Sequence, residues 1–117
     1  MNIEELYELQ KELDTVIVNN YCKRNDLPIG LANQSDFLTE RLLALSVEVG
    51  ELANKTRSFK YWSIKSSEPR EEVMEELVDV LFFWLSVANS LGYEANELEQ
   101  MYLEKYQINL DRQKNGY

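Results

Sequence analysis

The sequence predicts an all-α protein built from four helices, because its hydrophobic pattern and composition agree on that class. Apolar residues recur every three or four positions in four separate stretches, which is the spacing of one face of an α-helix. No stretch of convincing length alternates apolar and polar residues as a half-buried strand does. The 117 residues are 44% hydrophobic and 28% charged, an ordinary composition for one folded domain, 1–117.

The first predicted helix covers residues 2 to about 22. Its helically spaced apolar positions are Ile3, Leu6, Leu9, Leu13, Val16 and Ile17. Residues 22–35 contain several Asn and Asp residues with Pro28 and Gly30, a composition that indicates a loop.

The second predicted helix is capped by Ser35 or Asp36 and runs to about Arg57. Gly50 lies inside it, where glycine costs about 1 kcal/mol relative to alanine. That glycine is either merely tolerated or lets a partner helix or a ligand come close. Residues 59–67 then form a connector rich in aromatic and basic side chains.

The third predicted helix has Pro69 in its first turn and ends at Leu91, followed by Gly92 as the terminating glycine. From Leu77 onward it is apolar on almost every side, so it is either buried or meets a second subunit. In a domain this small, such a helix favours a homodimer, with a tetramer also open.

The fourth predicted helix spans about 95–113, with its inward positions at Leu98, Met101, Tyr102 and Ile108. Four helices with short connections predict a four-helix bundle that dimerisation completes.

The charge and the rare residues exclude several kinds of function. The net charge of −9 argues against a nucleic-acid-binding surface, which requires a basic face. The absence of histidine excludes Ser/His and Cys/His catalysis and most zinc sites. A lone cysteine, Cys22, permits no intramolecular disulfide and is typical of a reducing cytosol. Because the N-terminus is no signal peptide and residues 77–88 are too short to span a bilayer, we expect a cytoplasmic protein without a membrane partner.

Two acidic pairs are the candidate metal site. Glu48 and Glu51 are three residues apart on the second helix, and Glu76 and Asp79 are three apart on the third, so each pair occupies one helical face. If the helices pack antiparallel, four carboxylates converge. A set of oxygen ligands suits Mg²⁺ or Mn²⁺. Such pairs are also common on solvated faces, but these lie in apolar surroundings, where an unpaired charge is costly.

Two basic regions are candidates for binding an anionic substrate. One is the acid-free stretch 52–67, whose aromatic residues alternate with the cations Lys55, Arg57, Lys60 and Lys65. These cations either bind phosphates or are solvated, while Phe59 and Trp62 either stack on a base or cover the end of the bundle. The other region is the face of Lys105, Asn109 and Arg112 on the fourth helix, which either binds phosphate or is solvated.

The chain resembles the dimeric all-α dUTPases, which belong with the MazG-type nucleoside triphosphate pyrophosphohydrolases. Residues 43–63 and 75–79 carry the shared Glu-x-x-Glu and Glu-x-x-Asp motifs. The Leu-Gln-x-x-Leu-Asp motif at 9–14 and the Lys-x-x-x-Asn-x-x-Arg-Gln-x-x-Gly-Tyr motif at 105–117 are similar to the dUTPase branch. The chain departs from longer relatives in having Phe82-Phe83 where they often have His-Phe, and in lacking their extra helices.

The resemblance implies roles for particular residues. The implied Mg²⁺ ligands are Glu48, Glu51, Glu76 and Asp79, with Glu48 or Glu51 taking a proton from water. Phosphate or sugar contacts are implied, across or beside a subunit interface, for Lys105, Asn109, Arg112 and Tyr117. Gln10 is implied to face the uracil, with Lys60 and Trp62 near the mouth of the site.

The function expected from this resemblance is Mg²⁺-dependent hydrolysis of dUTP to dUMP and pyrophosphate. An alternative within the class is a pyrophosphatase for another nucleotide, such as dCTP or a nucleotide with a damaged base. An alternative of another class is a non-catalytic helical oligomerisation protein whose acidic cluster binds a structural metal.

Overall fold

The structure is a computed structural model that describes residues 1–116. Across these residues the chain forms four long helices and no strand, which confirms the all-α prediction. They are α1 (Ile3–Arg24), α2 (Leu38–Thr56), α3 (Arg70–Leu91) and α4 (Ala95–Lys114). Tyr117, an implied substrate contact, lies outside the described residues. No helix among residues 1–116 is long and apolar enough to cross a membrane.

The start of α2 differs from the sequence prediction. A 3₁₀ helix, Gln34–Phe37, comes first, so α2 begins at Leu38 rather than directly after Ser35 or Asp36. The cause is a capping box one turn earlier, in which the backbone N–H of Asn33 donates to the Asp36 carboxylate at 2.8 Å.

α2 and α3 form an antiparallel pair at the centre of the fold. Arg41, near the start of α2, donates to the Ser86 carbonyl and the Ser90 hydroxyl near the end of α3. At the other end, the backbone N–H of Glu68 and the hydroxyl of Ser67 both donate to the Lys55 carbonyl, at 2.9 and 3.2 Å. The connector therefore returns to the end of α2 and fixes where α3 starts.

A buried polar network joins α1 to this pair. The Asp14 carboxylate is 2% exposed and accepts hydrogen bonds from Gln10 Nε2 at 2.9 Å, Ser86 Oγ at 3.0 Å and Asn89 Nδ2 at 2.9 Å. An Arg41 Nη2 atom lies 3.9 Å from it. Burial lowers the pKa of Arg41, and the negative charge of Asp14 partly offsets that effect. Three helices thus meet at one carboxylate.

The buried face of α1 is not the apolar stripe from which the helix is predicted. Its buried residues are Tyr7, Gln10, Asp14, Val18 and Cys22. Most of the apolar stripe, from Leu6 to Ile17, is exposed. The polar network determines which face of α1 points inward, and most of the apolar stripe stays exposed among residues 1–116.

α4 leaves the rest of the chain after its first turn. Ala95 and Leu98 pack with the small core around Tyr7, whose hydroxyl donates to the Tyr93 carbonyl at 2.7 Å. Residues 99–109 are all exposed. The prediction that Met101, Tyr102 and Ile108 point inward is therefore wrong within one chain.

The chain exposes more surface than a compact protein of its size. Its accessible surface is 8812 Å², whereas a compact 13.8 kDa protein is expected to expose about 6,600 Å². Its radius of gyration is 17.9 Å, against about 13 Å for a compact chain of this length. On α3, Leu77, Leu81 and Trp84 are exposed. This apolar helix is therefore only partly buried among residues 1–116, with its buried positions between Leu85 and Ser90.

We predict that Asp14→Ala lowers the free energy of unfolding by about 3–5 kcal/mol, because it leaves the Arg41 guanidinium buried without its counter-charge. Urea denaturation followed by circular dichroism measures this loss. The matched control is Glu12→Ala, two residues away on the exposed side of α1, with an expected change of at most about 0.5 kcal/mol. Equal losses in the two variants would show that the network does not hold the helices together.

Candidate metal and active site

Three carboxylates converge between α2 and α3. Glu48 on α2 meets Glu76 and Asp79 on α3, all three half-buried, and each can offer an oxygen within 4.8 Å of the other two. The antiparallel pairing of the helices produces this convergence, because the spacing of three residues places Glu76 and Asp79 on one face of α3.

Glu51 lies at the edge of this group rather than inside it. It is one turn beyond Glu48 on α2 and is exposed. It is close enough for its charge to raise the pKa of both Glu48 and Glu76. The four predicted ligands therefore divide into three inner carboxylates and one outer carboxylate.

The inner carboxylates carry uncompensated negative charge. Burial raises the pKa of Glu48, and the charges of Glu51, Asp79 and Glu76 raise it further. Burial also raises the pKa of Glu76, as do the charges of Glu51 and Asp79, while the positive charge of Lys55 acts in the opposite direction. These directions are those expected of like charges gathered in a partly desolvated site.

The donor set fits a hard divalent cation. The Oε2 atoms of Glu48 and Glu76 are buried and have no hydrogen-bond partner among residues 1–116. Buried polar atoms are normally paired, so these two oxygens are available as ligands. Mg²⁺ prefers oxygen ligands such as carboxylates, so Glu48, Glu76 and Asp79 are the residues that would hold it.

The connector carries an exposed aromatic cluster next to the end of the helix pair where α2 ends and α3 begins. Trp62 is 65% exposed and packs edge-to-face against Phe59 and Tyr61, with ring centroids 5.9 and 5.3 Å away. The Lys60 ammonium lies 5.7 Å from the centre of the Phe59 ring. Because Phe59 and Trp62 are both at least half exposed, they do not cover the end of the bundle in one chain.

A cavity of about 280 Å³ lies between α1 and the helix pair. Its lining includes Ala44 and Phe83, which are one turn from Glu48 and Asp79 respectively, a distance of about 6 Å along each helix. Asp14 also lines it. Next to Asp14, Gln10 is 4% exposed. Its Nε2 donates to Asp14, and its Oε1 is buried and has no hydrogen-bond partner in the part of the chain that the structure describes.

The predicted residues of α4 are not brought to the carboxylates of their own chain. Lys105, Asn109 and Arg112 lie on the exposed part of the helix. Lys105 lines a mostly apolar groove of about 600 Å³, whose other walls include Trp84 of α3 and Ile3 of α1.

The comparison with known families decides the assignment. The sequence profile of the dUTPase family matches residues 2–95, a range that contains all four carboxylates and the buried network. The chain belongs to the dUTPase family. As a family member it is a hydrolase that acts on nucleoside triphosphates. The match stops before Lys105, so it does not include the motif at 105–117.

One relative is named for a nucleotide with a different base. The chain is similar to the dCTP pyrophosphatase of Enterobacteria phage T4, with 24% identity over 140 aligned positions that cover 98% of this chain and 82% of the phage protein. No solved structure matches the chain. The reaction class is therefore nucleotide pyrophosphohydrolysis, and the base is a separate question.

Sequence reasoning missed the cluster around Asp14. The signal was present, because Tyr7, Gln10, Asp14 and Val18 follow one another at helical spacing. It was obscured because a longer apolar stripe runs along the opposite side of the same helix.

We predict that the metal-free protein becomes less stable as the pH rises above about 4.5, the ordinary pKa of a glutamate carboxyl. Glu48 and Glu76 have raised pKa values when folded, so in this range the folded state binds more protons than the unfolded state, and stability falls with pH. Denaturation in EDTA at several pH values measures the slope. The double variant Glu48→Gln/Glu76→Gln should lose most of it, whereas Glu12→Gln should keep it. An unchanged slope in the double variant would contradict the strained cluster.

Proposed function

We propose that this protein is a Mg²⁺-dependent pyrophosphohydrolase that converts dUTP into dUMP and pyrophosphate. The observation that carries the proposal is the cluster of Glu48, Glu76 and Asp79 with its two unpaired buried oxygens. Family membership supplies the reaction class. Because the chain has no histidine, carboxylates are the acid–base groups available at this cluster.

The inner carboxylates are the metal ligands in this proposal, with Glu51 completing the set from the edge. Bound Mg²⁺, or Mn²⁺ in its place, would neutralise charge on the phosphate oxygens and lower the pKa of a coordinated water. Glu48, Glu76 and Asp79 fix where the phosphate chain lies relative to the attacking water.

Glu51 is the better placed of the two proposed general bases. It is exposed, so a water can reach it, whereas Glu48 is enclosed by the other inner carboxylates. Glu51 takes the proton of the attacking water as the new oxygen–phosphorus bond forms and the bond to the leaving group breaks.

The cavity beside the carboxylates is the proposed nucleoside site. The unpaired Gln10 Oε1 is an acceptor for an N–H group of a base, which suits N3–H of uracil and also the amino group of cytosine. The name of the phage relative favours dCTP as the second candidate substrate. Lys60 and Trp62 are proposed to lie at the mouth of the site when substrate is bound.

A second copy of the chain is the proposed source of the α4 contacts. Each chain exposes roughly 2,200 Å² more than a compact chain would, so two chains together carry an excess of roughly 4,400 Å², which is within the range of about 2,000–5,000 Å² that obligate homodimers bury. The exposed apolar surfaces of α1, α3 and α4 would form such an interface. In the dimer, α4 would carry Lys105, Asn109 and Arg112 to the phosphates bound by the partner, and Tyr117 stays a proposed contact to them.

Pyrophosphate release from dUTP, dTTP, dCTP and dATP, with and without Mg²⁺, tests the proposed reaction. We expect Mg²⁺-dependent release that is fastest with dUTP, and a loss of roughly 100-fold or more in Asp79→Asn, because a ligand of the charge-stabilising ion is removed. Glu12→Gln should match the wild type.

Three outcomes would count against this assignment. Faster turnover of dCTP would assign the second candidate. A melting temperature that rises with Mg²⁺ in the absence of any pyrophosphate release would instead indicate a structural metal in a non-catalytic protein. Full activity in Asp79→Asn would reject the proposed site.

Sedimentation tests the proposed dimer. We predict a mass about twice that of the 13.8 kDa chain, and mostly monomer for Trp84→Glu, because the substitution places a charge in the apolar groove. Tyr61→Glu, an exposed aromatic outside the groove, should stay dimeric. A monomeric wild type at micromolar concentration would contradict the proposal.

A further inference from the structure

The structure separates the cations of the acid-free stretch by what they contact. These cations are Lys55, Arg57, Lys60 and Lys65. Arg57 ends α2 in the left-handed conformation and donates to the Ser63 hydroxyl at 2.9 Å. Lys60 lies over the ring of Phe59, and Lys65 is exposed on the connector. Lys55 lies close enough to the carboxylate cluster for its positive charge to lower the pKa of Glu76.

Lys55 lies on the cluster face of α2. It is one turn beyond Glu51 and two turns beyond Glu48, a spacing that places all three on one side of the helix. The residue is half-buried, and its positive charge lowers the pKa of Glu76. Among residues 1–116 its ammonium forms no ion pair within 4.0 Å. The charge is therefore near the cluster, and no carboxylate of the described residues lies within ion-pair distance of it.

The backbone of Lys55 is held in place by hydrogen bonds from the residues that lead into α3. Its carbonyl accepts from the Glu68 N–H at 2.9 Å and from the Ser67 hydroxyl at 3.2 Å. These bonds fix the point where the connector returns to the helix pair. A side chain attached to a fixed backbone loses less conformational freedom on binding a ligand than one on a mobile loop.

We infer that Lys55 is a further substrate-binding residue, whose ammonium contacts a phosphate oxygen on the connector side of the carboxylate cluster. The inference rests on the proposed function, because the ligand is the phosphate chain that the metal site would hold. A triphosphate has several negative charges, so it can bind the metal and this ammonium at the same time. Lys55 consequently acts in opposite directions on the two ligands, since its charge repels a divalent cation and attracts a phosphate.

The test is the full-length variant Lys55→Gln, measured in two ways. Its KM for dUTP should rise by about 10- to 100-fold, the loss expected for one contact to a charged group. Calorimetry with inorganic tripolyphosphate and Mg²⁺ should show a similar loss of affinity without any turnover. Binding of Mg²⁺ alone should be as tight as in the wild type or tighter, an outcome that a merely structural lysine would not produce.

Two further variants complete the design. Lys55→Arg keeps the charge and should recover most of the tripolyphosphate affinity. Lys23→Gln removes an exposed lysine at the end of α1 and should match the wild type. If Lys55→Gln unfolds, the same measurements on Lys55→Met, which keeps the aliphatic stem, decide the question.

The inference is overturned if the substituted protein binds tripolyphosphate as tightly as the wild type, or if Mg²⁺ affinity falls together with phosphate affinity. Its failure is distinguishable from failure of the proposed function. A wild type that binds tripolyphosphate through Lys55 and releases no pyrophosphate refutes the function alone. A wild type that turns over dUTP while Lys55→Gln is unaffected refutes the role of Lys55 alone.

Discussion

Repulsion among the carboxylates between α2 and α3 is the constraint on which the rest of the structure depends. Glu48, Glu76 and Asp79 would separate if the two helices could move apart, since like charges in a partly desolvated site oppose one another. The helix pair is fastened at both ends. The connector is bonded to the Lys55 carbonyl at one end, and the Asp14–Arg41 network joins three helices at the other. The stability supplied at the ends allows the centre to remain charged.

The sequence predicts the centre of this arrangement well because its signal is local. A spacing of three residues on a helix fixes which acids share a face, and the short connection between α2 and α3 favours antiparallel packing. Glu48, Glu76 and Asp79 follow from these two facts. Glu51 is assigned to the same set by spacing, but its position at the edge depends on the rotation of α2 about its axis, which spacing alone does not specify.

The parts of the fold that the sequence did not predict depend on contacts between residues far apart in the sequence. α1 has an apolar side and a mixed side, and the mixed side is buried because Asp14 finds donors on both neighbouring helices. A prediction from hydrophobic periodicity places such a charged residue on the solvent-exposed face of the helix. The course of α4 is likewise set by the Tyr7–Tyr93 contact and a single turn of packing, although its own pattern predicts an inward face.

The proposed dimer would account both for the exposed apolar surfaces and for the separation of the α4 residues from the carboxylate cluster. In that dimer the apolar stripes on α1 and α3 would leave water, and Lys105, Asn109 and Arg112 would reach the cluster of the other chain. Base selection is a separate matter, because the free Gln10 acceptor suits a donor on either uracil or cytosine. More features of the structure therefore support the reaction class than support the choice of base.

The most direct test of the central claim is anomalous diffraction from crystals grown with Mn²⁺ and a non-hydrolysable dUTP analogue. The account predicts an Mn²⁺ peak within about 2.5 Å of carboxylate oxygens of Glu48, Glu76 and Asp79, with the analogue's phosphates on the same ion. A peak elsewhere on the chain, or phosphates bound away from these carboxylates, would contradict it.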